Sequence, residues 1–136
     1  MTLDLSGLAR ATRQLEQGLA IARADPGNDL LRDGVIQRFE YTYELSHKML
    51  RRYLSATEPD AESVKALSFP DLIRLGSERG LLRHGWDFWK SYRAARGATS
   101  HTYDAAKARQ VFDEIPDFLA ETQHLLRRLQ ERAESG

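Results

Sequence analysis

Apolar residues recur along this chain at intervals of three and four, and polar residues fill the gaps. Leu5, Leu8, Thr12, Leu15, Leu19 and Ala22 form the first such stripe, with Arg10, Arg13, Glu16 and Gln17 falling mostly between them. Side chains at this spacing share one face of a helix, so an amphipathic first helix is expected, ended by the turn formers Asp25-Pro26-Gly27-Asn28. A second helix is expected from Leu31 to about Leu54, with Val35, Ile36, Phe39, Tyr43, Leu50, Tyr53 and Leu54 on its apolar side. Glu44 and Lys48 stand four apart in the order that favours an ion pair on an exposed flank. A short helical turn is expected over Glu62 to Ala66. Ser68 then caps a helix with Pro70 in its first turn and Gly80 as its C′ residue.

The remaining pattern is helical as well. Leu81 to Gly85 reads as a connector into an aromatic helix from Trp86 to Arg96. There Trp86, Trp89, Arg93 and Arg96 share one face, and Phe88, Tyr92 and Ala95 a neighbouring one; one face is expected in the core and one in self-association. A last helix follows Asp104, with Val111, Phe112, Ile115, Phe118, Leu119, Leu125, Leu126 and Leu129 along its stripe. Pro116 should kink or restart it. No strand-like alternation of useful length appears, nor any internal repeat. The expectation is an all-α fold: an antiparallel up-and-down bundle of four to five helices, homodimeric, in a single domain over residues 1–136 whose tail, 131–136, frays.

Composition narrows the class. A chain of 136 residues is long enough for one sizeable core. Its 20 basic residues balance 20 acidic ones, so no global electrostatic grip on nucleic acid is indicated and any such binding must be local. The absence of cysteine excludes disulfides and thiolate chemistry. Met1 to Leu5 does not read as a signal peptide, and no apolar run approaches membrane-spanning length, so a cytoplasmic protein without a membrane partner is expected. No metal-ligand spacing links the histidines to carboxylates, and no phosphate-cradling glycine loop or paired-carboxylate motif is present, so neither a metal nor a cofactor is expected.

One stretch carries candidate chemistry. Tyr92 to Asp104 brings two arginines, a histidine, hydroxyl side chains and a tyrosine into the break between two helical patterns. Gly97 sits where a helix C-terminus favours positive φ, Asp104 suits an N-cap, and the chain between them is expected to be extended. Arg96 and His101 would lie roughly 140° apart on a continuous helix, since five residues turn it about 500°, so only a break after Gly97 would bring them together. An arginine beside a histidine suits phosphodiester chemistry: the imidazole moves a proton at a ribose hydroxyl or leaving oxygen, and the guanidinium stabilises phosphorane charge. The alternative is a loop histidine and a helix-end arginine favoured by the helix dipole. Arg93, interleaved with the aromatics, could help stack on unpaired bases. Thr99 and Ser100 could donate hydrogen bonds to a substrate, though turn chemistry also explains them. Tyr103 is either an aromatic that packs at the helix entry or an exposed phenol beside His101.

Two blocks resemble a known family. Arg32-Asp33-Gly34-Val35-Ile36-Gln37-Arg38-Phe39-Glu40-Tyr41-Thr42-Tyr43-Glu44-Leu45 is similar to the second-helix signature of the bacterial nucleotidyltransferase substrate-binding proteins, in the HEPN superfamily. Arg96-x-x-x-x-His101-x-Tyr103 resembles that family's Arg-x4-His-x-Tyr motif. Gly97 stands where the family usually has a polar residue, and His47 where it often has tryptophan. The resemblance implies a helical homodimer encoded with a minimal nucleotidyltransferase. In the toxin–antitoxin branch it implies a metal-independent endoribonuclease that the transferase silences by adding AMP. Carried over, Arg96 and His101 become catalytic and Tyr103 the AMP acceptor. The other reading is a non-catalytic subunit that presents substrate to the partner transferase.

Overall fold

The computed structural model describes the backbone of residues 3–135 and the side chains of residues 3–133. Six α-helices lie among the described residues: α1 (Ser6–Ala24), α2 (Asp29–Thr57), α3 (Ala61–Lys65), α4 (Phe69–Glu78), α5 (Trp86–Ala98) and α6 (Ala105–Ser135). No strand occurs among them. A 3-10 turn, Thr99–His101, joins α5 to α6. The bundle is all-α, as the apolar periodicity predicts.

Local chemistry sets most boundaries. Asn28 caps α2 by accepting from the Leu31 N–H, Asp60 caps α3 through Ser63, and Ser68 caps α4 through Asp71. Gly80, at φ 73°, is the only described residue with positive φ, which is what its place after α4 requires.

α1 and α2 pack along each other across the short turn at Asp25–Asn28, and α6 lies against both. α5 packs on α6, and the 3-10 turn is seated on α2, α5 and α6. Leu8, Leu15, Phe39, Leu50, Leu54, Trp89, Tyr92, Ile115 and Phe118 are fully buried where these elements meet. The Phe118 ring meets Phe39 edge-on at 5.1 Å and Tyr92 at 5.6 Å, so α2, α5 and α6 are locked together by aromatics. Glu121 is also buried. Its carboxylate accepts from the Trp89 indole N–H at 3.1 Å and from the backbone N–H groups of Arg83 and His84, fixing the connector before α5.

Two expectations change here. Pro116 does not restart α6, which runs through it. One lost hydrogen bond and a ring clash cost about 3 kcal/mol. Burying Val111, Ile115, Phe118 and Leu119 around that point returns roughly 1.5–3 kcal/mol each, so packing wins. Helix α6 reaches Ser135, and Gly136 lies outside the described residues. The two aromatic faces of α5 are not divided between core and surface. Trp89, Tyr92 and Ala95 all enter the core, Trp86 packs edge-on against Phe69, and Phe88 is exposed with its ring stacked on His84 at 3.8 Å.

Candidate active site

The site begins with a correction at Gly97. This residue is not a positive-φ helix end: α5 continues through it to Ala98 and tightens directly into the 3-10 turn. The chain between α5 and α6 is therefore coiled, not extended. Thr99 is the reason. Its hydroxyl donates to the Arg96 carbonyl at 2.8 Å and accepts from the Arg96 guanidinium at 3.1 Å, and its side chain is buried. A helix end closed this way has no need of a left-handed residue. The Asp104 N–H then bonds back to the His101 carbonyl at 3.0 Å. Asp104 caps α6, as expected, by accepting from the N–H groups of Ala106 and Lys107.

This geometry does not fold Arg96 onto His101. No hydrogen bond or ion pair joins the two among the described residues. Arg96 instead turns toward α2, where its Nε donates to Glu44 at 3.0 Å and its Nη1 lies 3.7 Å from Glu40. The expected Glu44–Lys48 pair is absent, because Glu44 is engaged by Arg96 on one oxygen and by His47 on the other, at 3.1 Å. With Nε and Nη1 occupied, Nη2 of Arg96 keeps donors free for an incoming anion.

His101 and Tyr103 do come together. Both are exposed, Tyr103 at 86%, and their rings meet edge-on with centroids 6.0 Å apart. Tyr103 is thus not a packed aromatic at the helix entry. Ser100 is exposed beside them, whereas Thr99 is withdrawn into the Arg96 knot. Arg93 projects from α5 over the Phe69 ring, 5.4 Å from its centroid.

The floor next to Arg96 is aromatic and shifts two protonation equilibria. Burial pushes the Tyr43 phenol up to about 12, partly offset by the charge of Arg93. Burial among Tyr43 and Phe69 also lowers the His47 pKa, and the opposing charge of Glu44 does not overcome it. Sequence reasoning missed Glu40 and the engagement of Glu44 by Arg96. Their four-residue spacing on α2 puts both on one face, but only the fold shows that Arg96 faces it. No group of three or more His, Asp or Glu side chains is placed to hold a metal ion among the described residues.

Residues 3–131 match the family described as nucleotidyltransferase substrate binding protein like. The chain belongs to that family. Among its relatives is the probable ribonuclease HepT of Haemophilus influenzae, 41% identical over 104 residues that cover 76% of this chain and 70% of the relative. Among solved structures, a Haemophilus influenzae protein, HI0074, described as having the fold of a substrate binding domain of a nucleotidyltransferase, superimposes with a TM-score of 0.87. It is 36% identical, and the match covers 93% of this chain and 99% of that one. A protein from Thermus thermophilus superimposes with a TM-score of 0.62 at 33% identity, covering 85% of this chain and 98% of its own. For this family member, no helix among the described residues is long and apolar enough to cross a membrane.

Proposed function

We propose that this chain is an endoribonuclease that works without a metal and is silenced when a partner nucleotidyltransferase adds AMP to Tyr103. The observation that carries the reading is the exposed His101–Tyr103 pair on a turn held between α5 and α6, with His101 five residues beyond the tethered Arg96. The relative named as a probable ribonuclease supports the activity, and the family description supports the partner.

In this reading His101 takes the proton from a ribose 2′-hydroxyl, whose oxygen attacks the adjacent phosphorus. The bond from phosphorus to the 5′-oxygen breaks and that oxygen collects a proton, leaving a 2′,3′-cyclic phosphate and a 5′-hydroxyl. Nη2 of Arg96 donates to the charged phosphorane, while Glu40 and Glu44 hold the guanidinium in place. Ser100 and Arg93 lie on the exposed side, where a strand would pass. A second copy of the chain, in a homodimer, supplies a second His101 as the acid. Silencing is an adenylyl transfer: the Tyr103 hydroxyl releases its proton to solvent as its oxygen attacks the α-phosphorus of ATP, and the bond from that phosphorus to the leaving pyrophosphate breaks. The resulting adenylate puts bulk and negative charge about one ring away from His101, where an RNA phosphate would sit.

The engagement of Arg96 by two carboxylates favours a second reading, a non-catalytic subunit that presents substrate to the transferase. One experiment separates them. Wild type is expected to cleave RNA in EDTA, and His101→Ala to be slower by at least about 100-fold, the scale of acid–base catalysis, with unchanged helicity. Equal rates would leave the presenting subunit. Coexpression with the neighbouring transferase should add adenylate mass to the Tyr103 peptide; Tyr103→Phe should stay unmodified, and still cleave in the transferase's presence.

A further inference from the structure

A second recognition surface runs along α2, away from the His101 turn. Glu44, Lys48, Arg51, Arg52 and Ser55 recur at helical spacing, so they lie on one face. They line an open groove of about 570 Å³, with His47 and Lys65 completing its walls. A second groove of about 430 Å³, lined by Glu40, Glu44, Lys48 and Arg96 among others, adjoins it. Glu44 and Lys48 belong to both, so Arg96 stands at one end of a continuous channel and Arg52 at the other. From residue 44 to residue 55 the helix advances about 16 Å.

The charge along this channel is unlike that of the rest of the molecule. The chain as a whole is neutral. Within the channel, Lys48 and Arg52 are exposed and have no carboxylate partner among the described residues. Arg51 spends Nη1 on the carbonyls of Val64 and Leu67, both at 3.0 Å, which fixes the α3–α4 connector as the far wall and keeps the cation in the groove. The one carboxylate shared by both grooves, Glu44, is already neutralised by Arg96 and adjoins a His47 that burial holds toward its neutral form. What remains is a row of cations ending at the guanidinium of Arg96, in the last turn of α5.

We infer that the Lys48–Arg52 face of α2 is a track for the phosphodiester backbone of single-stranded RNA, leading the strand to Arg96 and the His101 turn. The inference rests on the ribonuclease reading for what happens at the end of the track, but binding along it is measured separately. Phosphate contacts position a strand without reading its sequence, so this track is sequence-tolerant. Its cations, spread along one helix face, match a repeating anion better than a single phosphate.

The test uses the full-length chain carrying His101→Ala, so that RNA stays intact, and a fluorescent oligouridylate about 20 nucleotides long. Affinity is measured from about 50 to 200 mM KCl, with and without Lys48→Gln/Arg52→Gln. Losing two phosphate contacts should flatten the slope of log K against log salt by roughly 1.4, and Lys48→Gln alone by roughly 0.7. Arg10→Gln/Arg13→Gln, an equal charge loss on α1, should leave the slope unchanged. The single substitution keeps the test decisive if the double variant loses its fold. An unchanged slope in the groove variants overturns the track. So does intact RNA binding with loss of binding to the partner transferase, which would make the face a protein-docking surface. Wild-type cleavage is followed in parallel: no cleavage with a groove-dependent slope removes the ribonuclease and keeps the track, and cleavage with an unchanged slope does the reverse.

Discussion

At the scale of single residues, two buried polar groups show what the fold tolerates. Glu121 has every donor it needs, from one indole and two backbone N–H groups. The Tyr92 hydroxyl, by contrast, is buried with no hydrogen-bond partner, and burial raises its pKa. A buried, unsatisfied hydroxyl costs about 1–3 kcal/mol. Tyr92→Phe removes that cost and keeps the ring against Trp89 and Phe118, so urea unfolding should show it neutral to about 1 kcal/mol more stable. A loss above about 1 kcal/mol would mean the hydroxyl has a partner. Neither group is visible from periodicity. Glu121 looks like one more charged residue on a long helix until the α4–α5 connector is placed on it.

At the scale of elements, the caps could be read directly and the α5–α6 junction could not. Ser68, Gly80 and Asp104 act through neighbours within a few residues, so local sequence suffices to find them. Gly97 misleads because a glycine near a helix end suggests a left-handed turn, whereas the end is set by the Thr99 hydroxyl and by the contacts of the 3-10 turn with α2 and α6. The carboxylate partners of Arg96 are likewise more than fifty residues away in sequence, and no spacing rule reaches them. Since Gly97 is helical and exposed, and a Cβ there would meet nothing within 4 Å, glycine only weakens the helix. Gly97→Ala should raise stability by about 0.5–1 kcal/mol in denaturant titration. Destabilisation would show that the junction needs glycine's freedom after all.

At the scale of the whole molecule, helical patterning was enough for the class and the aromatic core, while the site depended on which faces met. The same packing makes stability depend on pH. His47 and His124 both have lowered pKa values, chiefly from burial. The unfolded chain therefore binds more protons than the folded one between the folded values and about 6.5, and stability rises with pH across that window. It is fully present above about 6.5 and is lost on acidification. Glu114, raised by burial, works in the opposite sense at lower pH, because its proton is held more tightly in the fold. Thermal unfolding should show a falling midpoint from about pH 7 to pH 5.5, and a smaller fall in His47→Gln. Equal falls in both proteins would free His47 from that role.

The central claim is that an exposed imidazole on the α5–α6 turn moves the proton of a ribose hydroxyl, while an arginine held separately by α2 carboxylates meets the phosphate. Mass analysis of the ends left on RNA by the purified chain in EDTA tests it most directly. The account predicts 2′,3′-cyclic phosphate and 5′-hydroxyl ends with wild type and their loss with His101→Ala. Ends carrying 5′-phosphate and 3′-hydroxyl, or cyclic ends produced equally by His101→Ala, would contradict it.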